Sequence, residues 1–102
     1  MIKVSIDGTE KIDNEIDERW IAQQINKRKD EGKTPCVIVE IRENGIDMIL
    51  STSNCSHSAG GSRKPTINEE RILNLWEKNH LKSDSFAGGN LVAFIKQLRE
   101  AL

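Results

Sequence analysis

The Asn44–Gly45 dipeptide constrains the fold of this 102-residue chain more than any other feature. It separates two stretches, 36–43 and 46–51, that are rich in β-branched and other apolar residues. An Asn-Gly pair in this setting is the strongest short-range signal for a two-residue hairpin turn of type I′. The sequence therefore predicts two antiparallel strands joined by a tight turn. The continuous apolar start of 36–43 favours a central position in a sheet.

A further strand is predicted over residues 2–6. Apolar and polar residues alternate there, which is the period of a strand with one buried face. The Asp7–Gly8 pair that follows is a turn signal and ends this strand.

Three helices are predicted from apolar periodicity and end signals. They span 14–31, 67–80 and 91–102. The first has Asn14 as its N-cap, acidic residues near its start, basic residues near its end, and Gly32 as its stop. The second begins with a capping box formed by Thr66 and Glu69. The third begins at the N-cap Asn90.

The predicted element order is β-α-β-β-α-α. The first strand, helix and second strand fit a right-handed parallel crossover, and the hairpin adds an antiparallel third strand. The predicted fold class is therefore α/β (α+β), a small mixed three-stranded sheet with helices packed on the sheet. The length is that of a single domain, residues 1–102.

Charge and hydropathy exclude several classes of partner. Fifteen basic residues balance sixteen acidic ones, for a net charge of −1, which argues against a nucleic-acid partner. No stretch approaches the roughly 20 apolar residues of a membrane span, and the first residues lack a signal-peptide pattern. We therefore expect a cytoplasmic protein without a membrane partner. Its two cysteines, Cys36 and Cys55, would be reduced thiols.

The segment 52–65 differs in composition from the rest of the chain. It has no Asp or Glu, is rich in Ser and Gly, and runs from a strand end to a helix N-terminus, where unpaired N–H groups favour an anion. We predict a flexible loop over 52–65, and as the alternative a site in this loop for a phosphate-containing small ligand. Its candidate contacts are Gly60, Gly61, Ser62, Arg63, Lys64 and Thr66. The simpler interpretation is a mobile loop with two solvated cations, because the spacing fits no Walker A loop.

The cysteines and histidines offer two further candidate sites. Cys55 and His57 could form a nucleophile and its base, although no third group that would orient them is evident. Cys36, Cys55, His57 and His80 lack the paired spacing of zinc ligands. No metal and no cofactor are therefore predicted. His80 is expected to interact with the carbonyl groups at a helix end.

The absence of a complete catalytic constellation favours a non-enzymatic function. We expect a small binding or accessory domain that acts through a protein partner or as a homodimer. The alternative is an anion- or nucleotide-binding protein that uses the loop 52–65. Trp20 and Trp76 occupy apolar helix positions and are expected to pack in the core.

Overall fold

The fold consists of a four-stranded sheet with helices packed against one face. The computed structural model describes residues 1–52, 66–82 and 86–102. Its strands are β1 (Ile2–Ile6), β2 (Thr9–Ile12), β3 (Val37–Glu43) and β4 (Ile46–Ser51), and its helices are α1 (Glu18–Asp30), α2 (Ile67–Lys78) and α3 (Gly88–Ala101). The mixed α and β composition agrees with the predicted class.

The sheet has the order β2-β1-β3-β4, and all neighbouring strands are antiparallel. The prediction of a mixed, three-stranded sheet is therefore wrong in strand number and in direction. Asp7 and Gly8 have φ angles of 49° and 90° and form a two-residue turn that joins β1 to β2. Because this turn reverses the chain before α1 begins, β3 returns antiparallel to β1. The element order is β-β-α-β-β-α-α.

The strand that the sequence missed, β2, lies at an edge of the sheet. Its four residues, Thr9–Ile12, lack apolar alternation and three of them are exposed. Lys11 places its ammonium 5.8 Å from the centre of the Trp20 ring, a cation–π contact. Backbone pairing with β1 rather than side-chain burial defines this strand, so the apolar pattern does not reveal it.

The β3–β4 hairpin confirms the turn predicted from Asn44–Gly45. These residues have φ angles of 53° and 79°, as a type I′ turn requires. At the other end of the hairpin, Thr52 replaces one ladder bond with its side chain. Its N–H donates to the Val37 carbonyl (3.0 Å), and its hydroxyl accepts from the Val37 N–H (3.1 Å).

The start of α1 differs from the prediction that Asn14 is its N-cap. A short 3₁₀ turn occupies Asp13–Glu15, and Asp17 caps the helix by accepting from the Trp20 N–H (2.7 Å). The Asp13 carboxylate accepts from the Ile2 N–H (3.0 Å), which ties this turn to β1. Tertiary contact with the sheet therefore delays the helix beyond the first residue that could cap it.

The start of α3 also corrects a prediction, since Asn90 is not its N-cap. The helix begins at Gly88, and the Asn90 side chain reaches back to accept from the Ala87 N–H (2.7 Å). Gly88 lies against α1, where an added Cβ would be 3.4 Å from the Ala22 Cα. An added Cβ would make an ordinary van der Waals contact at this distance, so the packing of α3 on α1 does not by itself require a glycine here.

A single apolar cluster joins the sheet to the helices. It contains alternate residues of β1, β3 and β4 together with the inner faces of α1, α2 and α3. Trp20 and Trp76 are both buried, as predicted, and the Trp76 ring meets the Phe94 ring edge to face at 5.2 Å. Within the described residues, every buried side-chain nitrogen and oxygen has a hydrogen-bond partner.

Candidate functional site

Most of the predicted anion site lies outside the described residues. This applies to the candidate contacts Gly60, Gly61, Ser62, Arg63 and Lys64, and to the candidate nucleophile and base Cys55 and His57. Both hypotheses stay predictions. The structure describes Thr52, which precedes this segment, and Thr66, which follows it.

Thr66 uses its hydroxyl to cap α2. The hydroxyl accepts from the Glu69 N–H (3.2 Å), and the Glu69 carboxylate accepts from the Thr66 N–H (2.9 Å), so the predicted capping box is confirmed. Glu69 is 1% exposed, and Glu70 follows it in the same turn. These acidic side chains complement the positive end of the helix dipole.

Cys36 is disulfide-bonded, so the prediction of a reduced thiol at this position is wrong. That prediction was based on the expected compartment rather than on geometry. Cys36 directly precedes β3 in the chain. Its N–H donates to the Asp7 carboxylate (3.0 Å), and its carbonyl accepts from the Asp7 N–H (3.0 Å). A sulfur in a disulfide is not a thiolate, so Cys36 is neither a nucleophile nor a zinc ligand in this state.

The last of the four candidate metal ligands, His80, lies at the exposed end of α2. Its backbone N–H donates to the Glu77 carbonyl (3.0 Å), and its φ is 60°. Its place at the helix end is therefore explained by a backbone contact. Among the residues that the structure describes, no group of three or more His, Cys, Asp or Glu side chains could hold a metal ion.

The face of the sheet opposite the helices presents a continuous set of partly or fully exposed side chains, which we call the open face. Because side chains alternate along a strand, every second residue of each strand lies on the open face. Its members are Lys3, Ser5, Glu10, Ile12, Ile38, Glu40, Arg42, Asp47, Ile49 and Ser51. Ile12 is 42% exposed, and Ile38 and Ile49 are half-buried. The open face thus combines apolar and charged groups.

Strand register arranges part of the open face in a row, which we call the central row. Lys3 pairs with Ile12 of β2 on one side and with Glu40 of β3 on the other, and Glu40 pairs with Ile49 of β4. Directly paired side chains share a face of the sheet. Read from β2 to β4, the central row is apolar, positive, negative and apolar.

A second row lies beside the central row, one step along the strands. It contains, from β2 to β4, Glu10, Ser5, Ile38 and Ser51. The Lys3 ammonium lies 3.4 Å from the Glu10 carboxylate and so links the two rows. Ion pairs of this kind on an exposed surface contribute little to stability, and their side chains can change partner.

The open face could not be assembled from the sequence, because 36–43 was predicted to be a central strand and β2 was not predicted at all. The signal was present in Ile38 and Ile49, which occupy positions where an ordinary exposed face carries polar residues. Their significance depends on β2, whose Ile12 completes the central row. Without that strand, no row across the sheet could be drawn.

Two grooves formed by the described residues do not bring other candidate groups together. One, of about 550 Å³, follows the exposed side of α1, where Arg19 and Lys27 lie on the same side as Asp30 and Glu31. A second, of about 380 Å³, lies between the hairpin turn and the start of α2 and includes Arg71. The first groove is lined by charges of both signs, and the second is lined by the single cation Arg71 among the charged side chains.

Comparisons of this chain with protein families, curated proteins and solved structures find no match. Within the described residues, no helix is both long and apolar enough to cross a membrane. Among the described residues, the open face is the strongest candidate for a functional surface.

Proposed function

We propose that this chain is a non-enzymatic binding or accessory domain that docks onto a protein through its open face. The observation that supports the proposal is the asymmetry of the sheet. Helices bury one face, whereas the other carries Ile12, Ile38 and Ile49 among charged side chains.

The composition of the open face suits a protein surface. Protein interfaces combine an apolar centre with a polar rim, and their charged groups determine register and specificity. Ile38 lies on β3 and Ile49 on the neighbouring β4, two positions apart in the register, so their side chains are diagonal neighbours. Glu40 and Arg42 flank them along β3. A partner would cover this apolar pair while meeting charges of both signs around it.

Site-specific photo-crosslinking in the cells that make this chain tests the proposal. A photoreactive phenylalanine derivative replaces Ile12, which is exposed enough to accept it, and the same group replaces Asn74 on the exposed side of α2 as the matched control. We expect a protein adduct from position 12 and none from position 74. Adding Ile49→Asp to the Ile12 variant should remove the adduct, because a charge then occupies the same face.

The outcome that contradicts the proposal is equally specific. If position 12 gives no protein adduct, or gives the same adducts as position 74, the open face is an ordinary solvated surface. Circular dichroism of each variant shows whether the fold is retained.

A further inference from the structure

We infer that the protein that docks on the open face is a second copy of this chain, packed face to face about a twofold axis. The inference rests on the proposed function and names its partner. The proposed axis lies in the interface, parallel to the strands and midway between β1 and β3. Face-to-face packing of two sheets with nearly aligned strands is a common arrangement in proteins.

The charge order of the central row carries this inference. The twofold axis reverses the row in the second copy, so β1 of one copy faces β3 of the other, and β2 faces β4. Lys3 then lies opposite Glu40 of the second copy, and Glu40 lies opposite its Lys3. Ile12 faces Ile49 of the second copy at both ends of the row. Every charge in the row meets its opposite, and every isoleucine meets an isoleucine.

The second row is compatible with the same axis. Reversal sets Glu10 opposite Ser51 of the second copy and Ser5 opposite its Ile38. No two like charges face each other in either row. A symmetric interface must be complementary to itself in this way, because the same patch serves both copies.

Other twofold axes give a worse match. An axis along β1 would set Lys3 against Lys3 of the second copy, and an axis along β3 would set Glu40 against Glu40. An axis that runs across the strands, along the central row, would set Lys3 against Lys3 and Glu40 against Glu40 of the second copy at the same time. Like charges in contact disfavour an interface strongly. Only the axis midway between β1 and β3 sets Lys3 opposite Glu40 of the second copy.

The size of the open face predicts a weak dimer. Four strands about 4.8 Å apart and about five residues long span roughly 19 by 17 Å, a footprint of about 300 Å² on each copy. Stable complexes bury about 800 Å² on each partner. We therefore expect association that depends on concentration and must be measured up to about the millimolar range.

Charge exchange between the two central positions tests the arrangement, with analytical ultracentrifugation of the full chain as the measurement. Lys3→Glu makes the central row doubly negative, and Glu40→Lys makes it doubly positive. We expect each variant alone to dimerise at least roughly tenfold more weakly than the unmodified chain. An equimolar mixture of the two should associate, because a negative row then faces a positive one. The double variant should again dimerise by itself.

The mixing experiment separates an interface effect from a folding effect. Each single change also places like charges side by side within one sheet, so circular dichroism must show that both variants are folded. Mixing cannot repair a misfolded chain, whereas it does restore opposite charges across an interface. Glu77→Lys and Lys82→Glu, which exchange an exposed ion pair at the end of α2, are the matched controls and should leave the dimer unchanged.

A chain that stays monomeric at all concentrations, or a dimer indifferent to both exchanges, overturns the inference. If such a monomer still gives an adduct with a different protein from position 12, the second copy is excluded and the proposed function is retained. If position 12 gives no protein adduct and the chain is monomeric, both are wrong.

Discussion

At the scale of single residues, the ends of α1 and α2 show how one backbone conformation stops a helix. Gly32 ends α1 with φ 74°, as predicted from the sequence, and His80 occupies the equivalent position after α2 with φ 60°. The His80 N–H donates to the Glu77 carbonyl (3.0 Å), and the Leu81 N–H donates to the Trp76 carbonyl (3.2 Å). These two bonds form a Schellman motif, in which the left-handed residue is usually glycine.

His80→Gly should therefore stabilise the protein. A left-handed conformation costs a residue with a Cβ about 1–2 kcal/mol, and the greater freedom of glycine in the unfolded chain offsets part of that gain. We expect a net increase of about 0.5–1 kcal/mol in the free energy of unfolding, measured by urea denaturation. His80→Ala is the control and should bring no such increase. An equal effect of both changes would show that the imidazole, rather than the backbone, matters.

At the scale of elements, local signals predicted those parts whose hydrogen bonds close within a few residues. The Asn44–Gly45 hairpin and the Thr66–Glu69 capping box are both confirmed, because the groups that form them are adjacent in the chain. The starts of α1 and α3 were predicted less well. In α1, contact of Asp13 with β1 holds the preceding turn outside the helix. At such helix ends, more than one residue can serve as the N-cap, and tertiary packing determines which of them does.

The capping box provides a prediction for α2. Thr66 is exposed, so Thr66→Ala removes the capping hydroxyl without opening a cavity. We expect the free energy of unfolding to fall by about 1 kcal/mol, because the Glu69 N–H loses its acceptor. Thr66→Ser keeps the oxygen and should retain most of the stability. An alanine variant as stable as the unmodified protein would contradict the role given to this cap.

At the scale of the whole molecule, the Cys36 disulfide is a covalent cross-link that the sequence did not predict, since it predicted a reduced thiol at this position. We expect the peptide that contains Cys36 to resist alkylation in the unfolded, unreduced protein and to react after reduction, as peptide mass spectrometry would show. Reduction should lower the free energy of unfolding by about 2–4 kcal/mol. Ready alkylation of Cys36 without reductant would contradict this bond.

Neighbouring residues were enough to predict the hairpin turn, the α2 capping box and the buried side of β1. Alternation in Ile2–Ile6 and the Asn44–Gly45 turn follow from neighbouring residues, whose spacing and φ preferences act over short distances. The existence of β2, the antiparallel direction of all neighbouring strands, and the row formed by Ile12, Lys3, Glu40 and Ile49 emerged only from the folded chain. Pairing between distant strands depends on backbone hydrogen bonds, which almost every residue type provides, and side-chain patterns therefore do not specify it.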